Sequence, residues 1–384
     1  MQKLVFLINS LTHGGAEKVL SIIVNKLSDQ GYETELICLE KDDFYPIASG
    51  VKVTYLSSFT GRESGFKKLL FLPIFSWRLK KYIVSNNIQL IQSHLFRANY
   101  VNIIASYFFS KHTAQIVTAG RVSRYTELGF IGKLNLFLIK HLYKKADLLV
   151  CKAQGMQNDM QRLFQFPNNK IVINNPCDIK NILKLSQEYV DNFDLKSGIT
   201  YLISVGRLIP LKRNHDLIEC LDDLDTNVEV IFLGEGPEKL NLIQQASDLK
   251  LHNRVHFLGQ VRNPFKYISR ADVLVSCSES EGFPNVLVEA MICGTPVISS
   301  DCVSGPREIL APNTGINELL TDGVEIADFG ILYPVGAIKE LVSAINTLLS
   351  NKDTVDRYVG AGRSRGEHFS IERILEQYKK IMGI

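Results

Sequence analysis

No run of this 384-residue sequence is apolar for long enough to cross a bilayer: the longest, residues 69–77 and 101–109, fall well short of the roughly 20 residues a spanning helix needs. No signal peptide is legible either, since after Lys3 only residues 4–8 are apolar before Asn9 and Ser10, against the ~7–15 of a secretory core. Both absences point to a chain that stays in the cytoplasm. The seven cysteines, Cys38, Cys151, Cys177, Cys220, Cys277, Cys293 and Cys302, include no C-x-x-C pair, so neither a disulfide framework nor a zinc site is indicated and they read as reduced structural thiols. The G-x-G-x-x-G fingerprint is missing too. Gly14-Gly15 lacks that spacing and Glu40, at a strand end, lacks the fingerprint before it, which argues against a nicotinamide cofactor and a dehydrogenase. Internal repeats and low-complexity tracts are also absent.

What is present is the composition of an ordinary globular protein, 46% apolar and 22% charged. A single core seldom grows beyond about 250–300 residues, so this length implies two domains. The net charge of +3 is unevenly spread: residues 1–190 hold 24 Lys and Arg against 13 Asp and Glu, and the remainder 19 against 27. A basic first half can attract phosphate-bearing lipid or nucleic acid. The acidic second half must hold any anionic ligand by local geometry.

Hydrophobic periodicity predicts an α/β fold. Residues 3–8 read as a strand, Gly14 and Gly15 as a turn, and Val19, Leu20, Ile23, Val24 and Leu27 as the buried stripe of a helix. Further strands are expected at 34–39, 90–93, 115–118, 148–151 and 170–173, and the same alternation restarts at 201–205, 228–233, 255–258, 273–276 and 296–299. Strands alternating with helices imply parallel sheets covered on both faces. The expected organisation is a first domain over 1–185, a linker over 186–198, a second domain over 199–365 and a closing helix over 366–384, amphipathic through Ile371, Ile374, Leu375, Tyr378 and Ile381.

The most informative stretch is SESEGFPNVLVEAMICGTP, from Ser278 to Pro296. It follows an expected strand, so Glu281, Gly282, Phe283, Pro284 and Asn285 occupy a loop at a strand's carboxyl end, where open α/β sheets bind ligands. Pro284 suits the first turn of a helix, whose free amides make an anion site. Glu281 and Glu289, eight residues apart, can both reach a ligand over that helix start, and carboxylates accept hydrogen bonds from ribose or sugar hydroxyls. In SVGRLIPLKRN, Gly206 ends a strand and the cations Arg207 and Lys212 can converge on a diphosphate. Gly14 and Gly15 permit close backbone approach at a helix opening, and His94 follows another expected strand. The remaining histidines show no ligand spacing.

The E-x7-E arrangement with an internal GFPN, followed by TPVI, resembles the group 1 family of retaining GT-B glycosyltransferases, which move a sugar from a nucleotide diphosphate donor. That resemblance implies two Rossmann-like domains facing across a cleft, with the nucleotide on the second and the acceptor on the first. It implies that Glu289 binds the donor ribose, that Glu281 lies beside the transferred sugar, that the loop Gly282, Phe283, Pro284 and Asn285 sets its free amides against sugar and diphosphate, and that Gly206 borders the donor while Arg207 and Lys212 neutralise the leaving group. Gly14 and Gly15 would meet donor phosphate and acceptor, and His94 the transferred sugar. LGEGP at 233–237 and FLGQV at 257–261 resemble family loops, the second placing Val261 beside the nucleobase. NNPCD at 174–178 and SGPREIL at 304–310 match as well. Thr118-Ala119-Gly120 departs from the His-containing turn of many relatives, leaving Arg121 and Arg124 as acceptor-side candidates.

The implied donor is a uridine diphosphate hexose or N-acetylhexosamine, with guanosine diphosphate mannose the alternative, and no cofactor or metal is expected. Asp223-Leu224-Asp225 spells D-x-D but lies in a polar turn after a helix. A sugar-nucleotide epimerase and a non-catalytic scaffold keeping the fold are the other readings. The segments 66–82 and 130–145, where cations (Lys67, Lys68, Arg78, Lys80, Lys81; Lys133, Lys140, Lys144, Lys145) flank apolar and aromatic side chains (among the latter Phe130, Leu134, Phe137, Leu138 and Tyr143), suit an anionic membrane surface and a polyprenyl-diphosphate-linked or other saccharide acceptor at the inner face of the cell membrane. The alternative is that both are core-facing helices with a basic edge. No stacking platform accompanies the charge, so nucleic acid is not an expected partner.

Overall fold

The computed structural model describes residues 3–12, 14–60, 63–166 and 169–384, and only the backbone of Phe66; His13, one of the histidines set aside above, lies outside the described residues. The chain divides into two units, Met1–Pro176 with Ile371–Ile384, and Cys177–Ser370.

The first unit is built on β1 (Leu4–Ile8), β2 (Thr34–Cys38), β3 (Lys52–Tyr55), β4 (Leu90–His94), β5 (Thr113–Thr118), β6 (Leu148–Cys151) and β7 (Lys170–Val172), in the order β3-β2-β1-β4-β5-β6-β7. All six pairings are parallel. The strand order reverses between β1 and β4, which makes that gap the switch point where such sheets take ligands. Val19, Leu20, Ile23, Val24 and Leu27 of the helix Gly15–Asp29 are buried, as their spacing predicts. The C-terminal helix Ile371–Met382 returns to this unit, adding Ile374, Leu375, Tyr378 and Met382 to the core of Phe6, Ile8, Val117 and Val150. The edge strand β3 was not expected: its residues are exposed or half-buried, so no apolar alternation marks it.

The second unit carries β8 (Thr200–Val205), β9 (Val228–Leu233), β10 (Val255–Gly259), β11 (Val273–Ser276), β12 (Val297–Ser300), β13 (Glu325–Ile326) and β14 (Ile331–Tyr333), ordered β10-β9-β8-β11-β12-β14-β13. Only the unexpected hairpin β13–β14 is antiparallel. Here the switch point lies between β8 and β11.

The dividing lines fall at Pro176/Cys177 and Ser370/Ile371, so residues 186–198 belong within the second unit. The helix Ile179–Ser186, assigned by sequence to the first domain, is fastened to the second: Ser269 Oγ and Arg270 donate to Ser186 O at 2.9 and 3.1 Å, and Asn263 Nδ2 to Leu185 O at 2.8 Å. Its buried face is short, Ile182 and Ser186, so its spacing carries little sign of the unit it packs on.

The two basic segments are amphipathic helices with one face in the core. Leu72, Phe75, Ser76, Leu79 and Ile83 of the helix Leu72–Asn86 are buried, whereas Leu70, Ile74, Trp77 and Val84 are exposed. Lys68 does not face solvent: it is buried against Glu40, which also pairs with Arg97. Tyr143, expected on the membrane face of the second segment, is buried too, while Phe130, Ile131 and Phe137 of the helix Gly129–Leu142 are exposed. A π-helical turn, Ser106–Ser110, adds three exposed aromatics, Tyr107, Phe108 and Phe109. Lys145 Nζ stands 3.2 Å from the Tyr107 ring centre, Lys80 Nζ 5.8 Å from Phe109 and Lys81 Nζ 3.7 Å from Trp77.

Candidate active site

The second unit gathers its chemistry at the carboxyl ends of β8 and β11. Beyond β8 the chain turns at Gly206 (φ +153°) and passes Arg207 to a 3-10 turn, Pro210–Lys212. The loop after β9 is pressed onto this one. A Cβ at Gly234 (φ +153°) would lie 1.8 Å from Gly206 O, so the glycine of LGEGP is required by the approach of two backbones. Leu208 N–H to Glu235 O at 3.0 Å and Gly206 N–H to Leu233 O at 2.9 Å close the seam.

Beyond β11, Glu279 N–H donates to Leu211 O at 2.9 Å, tying the carboxylate loop to the lysine loop. Lys212 Nζ then lies 2.5 Å from Glu281 Oε1, and Ser278 Oγ donates to the same oxygen at 2.7 Å. Ser278 is itself held, its carbonyl accepting from Ser300 Oγ at 2.6 Å. Arg207 is exposed, and among the described residues its side chain has no partner. The two cations therefore differ: one is paired with a carboxylate and one is open to solvent.

Phe283 packs on Phe369, ring centres 5.3 Å apart. Pro284 sits at the cap of the helix Asn285–Cys293, one position before its first turn, and leads its amides out of the loop. The loop is braced by Ser304 and Gly305, which open the SGPREIL stretch. Ser304 (φ +72°) donates its Oγ to Gly282 O at 2.8 Å, and at Gly305 (φ +96°) a Cβ would meet Pro284 Cδ at 2.4 Å. The signal was the glycine-proline pair of SGPREIL. Glu289 lies five residues into the helix and is buried, as are Val288 and Ala290 beside it. Gly206, Arg207, Lys212, Asn214, Ser276 and Ser278 line a cavity of about 10 Å³, room for about one water. Val261 is half-buried beyond β10, two strands from β8.

Asp223 and Asp225 lie before the start of β9, so they stand at the amino edge of the sheet, opposite this site. A larger hollow of about 610 Å³, lined by Asp225, Ser343, Asn346 and Thr347, lies on that same edge and presents no cation.

In the first unit, Gly14 precedes the helix Gly15–Asp29, and a Cβ there would fall 1.9 Å from the Glu17 carboxylate. An acid already faces this helix opening. His94 ends β4 with its ring buried, Nε2 3.2 Å from Gln92 Oε1, and burial first, then nearby Lys152, holds its pKa well below the ordinary value. The ring is neutral and turned into the interior, leaving the backbone as the part of His94 able to meet a ligand. Leu95 next to it adopts φ +72°, a strained conformation at the switch point. Arg121 donates to Ser123 Oγ at 2.9 Å, while Arg124 is exposed.

Comparison with known proteins places this architecture. The model "Glycosyl transferases group 1" matches residues 186–365, and "Glycosyltransferase Family 4" matches 13–181. The chain is 29% identical, over the whole of both proteins, to the N-acetylgalactosamine-N,N'-diacetylbacillosaminyl-diphospho-undecaprenol 4-alpha-N-acetylgalactosaminyltransferase of Campylobacter jejuni. In fold it is similar to the sucrose-phosphate synthase of Thermosynechococcus elongatus, with a TM-score of 0.81 at 18% identity over 99% of this chain and 98% of that one. Anabaena HepE in complex with UDP and glucose gives 0.73 at 23% identity over the whole of both chains.

Proposed function

Because the chain belongs to the group 1 glycosyltransferases of GT-B fold, we propose that it transfers a hexose or N-acetylhexosamine from a uridine diphosphate donor, with retention, to a polyprenyl-diphosphate-linked saccharide. One observation carries the donor half: at the switch point of the second sheet Lys212 pairs with Glu281, Arg207 lines the same small cavity as Lys212, and a helix N-terminus opens beside them. As the sugar–phosphate bond breaks, Arg207, Lys212 and the amides near Asn285 stabilise the charge that develops on the diphosphate. Two cations and a helix opening supply this without a metal, and the D-x-D carboxylates stand at the wrong edge to assist. With the diphosphate over β8, Val261 lies two strand spacings away, about 10 Å, a distance that suits a nucleobase. The family resemblance implies a front-face route, in which the leaving phosphate helps deprotonate the acceptor hydroxyl.

The Campylobacter relative's name specifies a lipid diphosphate acceptor and an α linkage. A lipid-linked acceptor here is supported by the exposed aromatic and basic side chains of the first unit, Trp77, Tyr107, Phe108, Phe109, Phe130 and Phe137 among them. Among the described residues no helix is long and apolar enough to cross a membrane, and the proposed contact with the inner face of the cell membrane rests on this surface. Calorimetry against uridine, guanosine and adenosine diphosphates tests the donor. Uridine diphosphate is expected to bind most tightly, tighter binding of guanosine diphosphate would replace the donor, and no binding of any would refute the site.

A further inference from the structure

Glu281 has a partner that a sugar-binding carboxylate would not need. Its Oε1 is fixed by two donors at once, Lys212 Nζ at 2.5 Å and Ser278 Oγ at 2.7 Å, and both side chains are mostly shielded, 24% exposed for Lys212 and 12% for Glu281. The geometry is set by backbone as well as side chains, since Glu279 N–H to Leu211 O joins the two loops. A diphosphate that recruits Lys212 must displace this carboxylate or share the ammonium with it. Either way the ammonium's attraction to the carboxylate, stronger in a partly shielded site than in water, is given up or divided. Arg207 carries no such counter-charge, so the site holds one cation ready and one restrained.

Resting on the donor reading above, we propose that Glu281 acts through Lys212 as a positioning residue that limits affinity for the nucleoside diphosphate product. The carboxylate orients the ammonium while the site is empty and competes for it once the diphosphate is free to leave. Glu281 thereby favours product release, and the two glutamates of the E-x7-E pattern have opposite effects on nucleoside diphosphate binding: Glu289 strengthens it through the ribose and Glu281 weakens it at the diphosphate.

Calorimetry with uridine diphosphate and with inorganic pyrophosphate tests this on wild type, Glu281→Gln, Glu289→Gln, Lys212→Met and the Lys212→Met/Glu281→Gln double variant. Gln keeps an oxygen for Ser278 and Lys212 but removes the charge. Glu281→Gln is expected to tighten both ligands about tenfold, the low end of the coupling between close opposite charges, because the ammonium is no longer shared with a carboxylate, and Glu289→Gln to weaken uridine diphosphate without affecting pyrophosphate. In the Lys212→Met background the gain from Glu281→Gln should shrink to about twofold or less. Unchanged or weaker binding by Glu281→Gln, or a gain that persists without Lys212, overturns the inference while leaving the donor site standing. If neither ligand binds any of the proteins, the donor site and the inference fall together.

Discussion

Lys152 at the end of β6 and Tyr378 of the C-terminal helix share a hydrogen bond inside the first unit, ammonium nitrogen to phenol oxygen, with both side chains buried. Among the described residues no carboxylate stands within ion-pair distance of Lys152, and burial pushes its pKa down to about 7 from 10.5. The folded state therefore binds fewer protons than the unfolded chain between about pH 7 and 10.5, so this lysine's penalty eases as pH rises through that window. Lys152→Met with Tyr378→Phe, which leaves no orphaned hydroxyl, is expected to stabilise the protein by roughly 1–3 kcal/mol at pH 7. The gain should shrink toward pH 10. Denaturant midpoints across that range check it, and a gain that does not vary with pH would contradict the burial argument.

Removing Glu289 or Lys212 should slow transfer far more than it harms folding. Glu289→Ala and Lys212→Ala are each expected to lose about 30- to 1000-fold in rate, the equivalent of roughly 2–4 kcal/mol of transition-state stabilisation. Steady-state kinetics alongside circular dichroism would show this. Activity should survive EDTA, and a strict requirement for magnesium or manganese would refute the metal-free route.

Gly305→Ala should damage the donor loop from outside it. The new methyl would meet Pro284 Cδ at 2.4 Å on a backbone at φ +96°, so the proline must shift or the helix opening must move, at a cost of about 1–3 kcal/mol. Thermal unfolding should register the loss. Ser304→Ala, which removes only the brace to Gly282 O, should leave the melting temperature nearly unchanged and raise KM for the donor.

On the first unit, the exposed rings of the π-helical turn offer a clean membrane test. Phe108→Ser with Phe109→Ser touches side chains that are 62% and 43% exposed. The fold should tolerate it. Co-sedimentation with anionic liposomes should fall at least several-fold relative to wild type, and wild-type binding should weaken as salt rises. Equal, negligible binding of wild type to anionic and neutral vesicles would remove the membrane role.

The legible parts of the molecule were those where one residue type has few alternatives. The stripe Val19, Leu20, Ile23, Val24 and Leu27 allowed only a buried helix face. The SESEGFPN loop showed itself because glycine, proline and acid follow a strong apolar strand. What stayed hidden depends on partners distant in sequence. Nothing near Lys68 tells of Glu40, 28 residues earlier, so a cation read as facing an anionic membrane surface is buried. His94 was read by position, whereas its ring orientation is decided by Gln92 and by the burial around it. Tyr107, Phe108 and Phe109 close the apolar run 101–109, and only the widened backbone of the π-helical turn shows that they face outward.

Tyr378 and its neighbours reach the first unit only after the whole of residues 177–370 has been made. At roughly 5–20 residues per second, synthesis of that insert of about 200 residues lasts about 10–40 s. Throughout that interval the nascent first sheet has the seven strands it needs but not the helix that covers Val117 and Val150. The second unit is complete only at residue 370, just before that helix is made. On the ribosome the first unit's uncovered apolar face is thus a stretch for a chaperone to guard until the last helix arrives.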